Sequence, residues 1–158
     1  MDMMSIKKNK ALIHRFYRSI CEVSYLQQIN EVDIREKSII NIIRNIFAEV
    51  YTSDCLMHDI KGDRSLEEVI TETASYFTTF PDTKIIIEDM IADGNKVVTR
   101  WTMHSTQKDI LRDIPTTDKK NVIKGITLRR MANGKVVEEW TLTDMPSFMQ
   151  QIQAIRTQ

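Results

Sequence analysis

Apolar and polar positions alternate along this chain with two different periods, and the change between them falls near Pro81. Before it, the period is helical. Leu12, Phe16 and Ile20, with Ile13 and Tyr17 beside them, set a stripe from Asn9 to about Tyr25 that predicts a first helix. Ile39, Ile43, Ile46, Phe47 and Val50 form a second stripe, opposite Asn41, Arg44, Asn45 and Glu49. Ser65 with Glu68 three residues on is a capping-box pattern. It opens a third helix through Leu66, Val69, Ile70, Thr73 and Phe77 to Phe80, which Pro81 stops.

After Pro81 the period becomes two. The β-branched runs KIIIEDMIA, KVVTRWTMHST, NVIKGITLRRM and KVVEEWTLT, broken at Asp93-Gly94 and Asn133-Gly134, predict an antiparallel meander. Gln107 to Lys120 reads as a long connection, and a short helix beginning near Pro146 closes the chain. Helices first and strands second indicate an α+β domain with helices over one face of a curved sheet.

The last hairpin has two possible registers. A bare Asn133-Gly134 turn would mix Ile126 and Leu128 with Glu139 and Thr141. A three-residue loop, Ala132 to Gly134 with Gly134 left-handed, puts Ile126, Leu128, Val136, Trp140 and Leu142 on one face and Gly125, Thr127, Arg129, Glu139 and Thr141 on the other. The second segregates better and is the one expected. Taken alone, the pattern leaves the polar face wetted by solvent, as antiparallel sheets commonly are.

With 158 residues and 42% hydrophobic content, the chain fits one domain. Its 22 basic and 22 acidic residues cancel, so no net field attracts nucleic acid or anionic lipid. The start lacks a secretory signal pattern and no apolar stretch is long enough to span a membrane, so the expectation is a cytoplasmic protein with no membrane partner. Cys21 and Cys55 read as free thiols. Three histidines without HxH, HExxH or CxxC spacing argue against a metal, and no phosphate-binding glycine loop supports a nucleotide; no cofactor is expected.

NKALIHRFY, His58-Asp59 with Gly62, FPDTKIIIEDMIADGNKVVTRW, IPTTDKK and MANGKVVEEWTLTD stand in an order and spacing that resemble the SnoaL-like polyketide cyclase (ester cyclase) family over roughly Asn9 to Gln151, apart from an insertion around Leu26 to Arg35. The resemblance implies an NTF2-like cone: three N-terminal helices on a strongly curved antiparallel sheet, a short C-terminal helix, and a pocket for a small hydrophobic molecule. It turns the polar face of the last hairpin inward and makes the Ile126/Leu128/Trp140 face the contact of a homodimer. It also implies cofactor-free chemistry, in which an aspartate removes a proton α to a carbonyl.

That aspartate follows the residue matching Trp140, where this chain has Thr141. The family's histidine and glutamine partners align with Thr127 and Gly125. The connecting loop has Ser105-Thr106-Gln107 in place of Gly-Thr-His, with Asp109, Asp113 and Asp118 where glycines usually stand. Glu139, His58 and Asp144 are therefore the candidate catalytic groups, and Thr127, Arg129, Thr141 and Trp101 the candidate substrate contacts. Each has a plainer alternative. Glu139 pairs with Arg129 as a surface strand glutamate, Arg129 takes Glu139 or Glu138 rather than a ligand anion, Asp144 caps the last helix, and His58 makes one structural hydrogen bond in a loop. The function expected is either proton transfer on a hydrophobic carbonyl compound or a binding or regulatory module that holds a ligand unchanged.

Overall fold

The computed structural model describes residues 3–28, 36–106 and 120–153. Its elements run α1 (Met3–Gln28), α2 (Glu36–Val50), β1 (Tyr51–Asp59), β2 (Gly62–Ser65), α3 (Leu66–Thr79), β3 (Lys84–Asp93), β4 (Lys96–Thr106), β5 (Lys120–Ala132), β6 (Lys135–Thr143) and α4 (Met145–Gln153). The three helical stripes and four strands read from the pattern are all present. The first helix extends beyond the predicted ends. The expected connection from Gln107 and most of the insertion up to Arg35 lie outside the described residues.

α3 is capped as its sequence predicts. The Ser65 hydroxyl accepts from the Glu68 backbone N–H at 3.3 Å, and the Glu68 carboxylate accepts from the Ser65 N–H at 2.7 Å. Together with α1 and α2 it lies over the sheet. Ile13, Phe16, Tyr17 and Ile20 of α1, Ile39, Ile43 and Phe47 of α2 and Ile70 and Phe77 of α3 are buried with Val97, Met131 and Val136 of the strands. Phe16 stands edge-on to Phe47 and Tyr51 at centroid distances of 5.1 and 5.3 Å, a geometry that adds about 0.5–1.5 kcal/mol per pair beyond burial. A smaller cluster of Phe80, Ile123 and Phe148 fastens α4, with Trp101 packed against both groups. Among the described residues no helix is long and apolar enough to cross a membrane.

The sheet has the order β2-β1-β6-β5-β4-β3. It is antiparallel except where β1 pairs in parallel with β6, so the expected meander is joined by a β1–β2 hairpin that the period did not reveal. The reason is local. Tyr51, Cys55 and Met57 face inward, but the register shifts between Tyr51 and Leu56, and Thr52-Ser53-Asp54 fill the gap with polar residues. No run of alternation survives to be read.

The last hairpin corrects one expectation while keeping its consequence. Ala132 pairs with Lys135, and Asn133 (φ 49°) and Gly134 (φ 76°) form a two-residue turn with both central residues left-handed, rather than the three-residue loop. Beyond it, Met131 faces Val136 while Arg130 faces Glu138, so Val137 is an extra residue. This bulge restores the parity that the turn reversed. Thr127 then pairs with Thr141 and Arg129 with Glu139, sharing one face as segregation required. That face is buried beneath the helices, as the family resemblance implied, and not wetted by solvent as the pattern taken alone suggested, because Tyr17, Tyr51 and the apolar helix residues close over it. Val136 lies before the bulge and is fully buried on the inner face, not on the outer face where the three-residue loop had placed it. Ile126, Trp140 and Leu142 are exposed on the other side.

Candidate functional site

The inner face of β5 and β6 carries alternating polar side chains into a region that is otherwise apolar. Arg129 and Glu139 are cross-strand partners with only 3% and 7% of their surfaces exposed. Arg129 Nε lies 2.9 Å from Glu139 Oε2. Tyr51, at the start of β1, donates its hydroxyl to the same oxygen at 2.6 Å and accepts from Arg129 Nε at 2.9 Å. The two Nη atoms of Arg129 each donate to the Tyr17 hydroxyl of α1 at 3.2 Å. The guanidinium carbon also sits 5.6 Å from the Phe16 ring centroid and 5.1 Å from that of Tyr17.

Burial presses the Arg129 guanidinium to lose its proton, but the oxygens of Tyr17, Tyr51 and Glu139 outweigh it and carry its pKa well above the ordinary value. Tyr51 is likewise pushed well up, first by burial and further by Glu139, against the opposing pull of Arg129. Nearby, burial and Glu139 raise the Cys55 thiol to about 12, leaving it a neutral packing group.

The other oxygen of Glu139 continues the network along the sheet. Thr141 donates its hydroxyl to Glu139 Oε1 at 3.3 Å, and its oxygen lies 3.1 Å from the Thr127 hydroxyl. Trp101 Nε1 donates to Thr127 at 3.0 Å. Trp101 faces Gly125 across the β4–β5 ladder, and a Cβ at position 125 would lie 2.2 Å from its ring. The indole therefore occupies the volume that a side chain at 125 would need. Thr127 is 2% exposed, whereas Trp101 and Thr141 are only half-buried and form the reachable part of the chain.

Four of the sequence candidates, Trp101, Thr127, Thr141 and Glu139, thus stand in one hydrogen-bonded line, and Arg129 locks its end. Arg129 takes Glu139 and not Glu138, but in the interior rather than at the surface. His58 and Asp144 are not brought to this line. His58 belongs to β1 rather than to a loop, on the outer face. Its Nδ1 lies 2.7 Å from Asp63 Oδ1, its Nε2 lies 3.0 Å from Glu138 Oε1, and its ring stacks on Trp140 at 5.2 Å. Those two carboxylates, Glu138 foremost, raise its pKa. Asp144 precedes α4 and accepts from the Ser147 backbone N–H at 3.2 Å and the Ser147 hydroxyl at 2.7 Å, the geometry of an N-cap.

Two residues of the network escaped the sequence reading. Tyr17 reads as one more member of a helical stripe, and Tyr51 as the residue after a helix; nothing in either position signals a hydroxyl aimed at a buried ion pair. Tyr17 also lines a groove of about 900 Å³ between α1 and β3, together with Ile85 and Ile87. Among the described residues no group of three or more His, Cys, Asp or Glu side chains is placed to hold a metal ion.

The chain belongs to the SnoaL-like polyketide cyclase family, whose profile matches residues 35–152. Its fold recurs in AclR, a candidate hydroxylase from Streptomyces galilaeus, at 16% identity over 94% of this chain and 98% of that one, with a TM-score of 0.75. A candidate SnoaL-like polyketide cyclase from Jannaschia sp. CCS1 is 19% identical over 98% of both chains, with a TM-score of 0.74. TsrD from Streptomyces laurentii is 17% identical over 98% of both, at 0.71. These similarities establish the NTF2-like fold expected from the sequence. No curated protein sequence matches the chain.

Proposed function

We propose that the chain takes a small hydrophobic carbonyl compound onto the inner face of its sheet and carries out cofactor-free proton transfer on it, as an aldol-type cyclisation or an isomerisation. Family membership supports the reaction class, and the hydrogen-bonded line from Trp101 to Glu139 is the observation that carries the reading here. Thr141 stands where the family's aspartate is expected, and a threonine hydroxyl is too weak a base to act unaided. Glu139 supplies the help. Its Oε1 accepts the Thr141 hydroxyl at 3.3 Å, so the nearest carboxylate lies one strand step behind the hydroxyl instead of in its place. As Thr141 Oγ takes a proton from the carbon α to the carbonyl, its own proton passes to Glu139, leaving an enolate and a neutral carboxyl group.

One observation favours a second reading. Tyr51 and Arg129 already occupy Glu139 Oε2 and Thr141 occupies Oε1, so the carboxylate is also a structural tie. In this reading the line holds a ligand without converting it. Incubation with a cyclisable hydrophobic diketone separates the two. Recovery of a cyclised or isomerised product, lost in Thr141→Val with binding retained, supports catalysis; recovery of unaltered ligand from a protein that binds it supports the binding module.

The outer face supports a homodimer. Ile126 is 48%, Trp140 38% and Leu142 77% exposed, on the same side of the sheet as exposed Leu56, Ile86 and Ile91, and contiguous apolar side chains left to water mark an interaction surface. Sedimentation should show a dimer for the natural chain and a monomer for Leu142→Glu. A monomeric natural chain, or a dimer indifferent to the substitution, overturns this assembly.

A further inference from the structure

The line of hydrogen bonds on the inner face has a fixed direction, set by its two ends. An indole N–H only donates and a carboxylate only accepts, while each threonine hydroxyl has one proton to give. Trp101 gives its proton to Thr127, at 3.0 Å. Thr141 gives its single proton to Glu139, at 3.3 Å. The Thr127–Thr141 contact of 3.1 Å is then made by the Thr127 proton. Reversal would leave the Thr127 proton with no acceptor in the line and strip Glu139 Oε1 of its donor. Arg129 and Tyr51 keep the carboxylate end in place through Oε2.

In this direction both hydroxyl protons are spent within the line. Each threonine oxygen keeps one lone pair and offers no proton. Thr127 is closed off at 2% exposure, so the lone pair open to a ligand is that of half-buried Thr141. We propose that Thr141 makes this wall an acceptor that selects carbonyl compounds presenting a hydroxyl or N–H donor, such as an enol, a phenol or a hydroxyketone. The inference rests on the reading of the inner face as a ligand wall, in its ligand-holding form, because the single free lone pair of Thr141 that accepts a ligand O–H is not at the same time free to take an α-proton. A donor O–H extends the line by one link and ends on the same carboxylate; a carbonyl or ether oxygen at the same point meets lone pair against lone pair and must break an existing bond to be satisfied. Thr141 is a specificity-determining residue whose character comes from Glu139 behind it.

Direct binding to the full chain, followed by the fluorescence of 6-acetyl-2-naphthol, whose hydroxyl is too far from the acetyl group to donate internally, and of its 2-fluoro analogue, tests this. The two are close in size, and only the first donates. The acetylnaphthol should bind about threefold to tenfold more tightly, the range of one net hydrogen bond. Thr141→Val, which keeps the shape and removes the acceptor, should bring the two affinities together. Thr141→Asn, which places an amide with both donors and an acceptor there, should raise the affinity of the fluoro analogue's carbonyl end relative to the natural chain; should the valine variant not fold, as judged by its melting transition, this arm decides. Equal affinities in the natural chain, a preference for the acetylnaphthol that survives in folded Thr141→Val, or a Thr141→Asn variant that binds the fluoro analogue no better than the natural chain does, overturn the assignment and leave a ligand-binding cone standing. If neither compound binds, the reading of the inner face as a ligand wall falls, and this inference with it.

Discussion

Two arginine–glutamate pairs stand one residue apart on the same two strands, and they have opposite fates. Arg129 and Glu139 meet at 2.9 Å with side chains 4% and 10% exposed; Arg130 and Glu138 meet at 2.8 Å with 39% and 22% exposed. The lengths are alike, so distance does not distinguish them. What differs is the medium. The inner pair has lost its water and recovers hydrogen bonds from Tyr17, Tyr51 and Thr141, whereas on the single chain the outer pair is open to solvent and shares Glu138 with His58. In the interior each partner is obligatory to the other, because a buried charge left alone has nothing to replace it. Outside, water substitutes for whichever partner is removed.

The sharpest way to break the comparison is Glu139→Ala, which strands the Arg129 charge. It should cost about 3–5 kcal/mol in urea unfolding. The double change Arg129→Met with Glu139→Leu should recover much of that loss, since an apolar pair of similar volume needs no partner. A single substitution no worse than the double would show that the inner pair is not truly desolvated. Tyr51→Phe comes next. It leaves the ion pair intact but removes one donor from Glu139 and one acceptor from Arg129, and about 1–3 kcal/mol of lost stability is expected in the same titration.

The outer pair should respond far less. In the Leu142→Glu background, which leaves the outer face to water, Arg130→Ala is expected to move the thermal midpoint little, and what shift it gives should fade as salt is added, unlike the effect of Tyr51→Phe. The smallest expected effect is the pH dependence of His58. Glu138 and Asp63 raise its folded pKa above the unfolded value of about 6.5. A raised histidine contributes stability that is complete below the unfolded value and is lost as pH rises through the higher folded one. Stability of the natural chain relative to His58→Gln should therefore decline through that window on the alkaline side of 6.5. A flat difference across it would show that His58 is not held by those carboxylates.

Periodicity alone determined much of this molecule. Three apolar stripes and the Ser65–Glu68 box defined the helices, alternation defined β3 to β6, and the ordered motifs defined the family and its cone. The helices and strands are local features, carried by residues within a turn or two of each other, whereas the family is legible only from the order of its motifs along most of the chain. The parity of the last hairpin was legible too, although its turn was not: segregation of Ile126, Trp140 and Leu142 from Thr127, Arg129 and Thr141 requires an offset but does not say whether a longer loop or a bulge at Val137 provides it.

Tertiary structure decided the rest, because it depends on partners far apart in the chain. Tyr17 lies 112 residues from Arg129, and Tyr51 lies 88 residues from Glu139; no spacing rule connects them. The same distance effect sent His58 to the outer face, where β1 pairs in parallel with β6 against Trp140. Two glutamates adjacent in sequence look alike as letters. Only the fold, by placing helices over one face of the sheet, removed water from Glu139 and left it with Glu138.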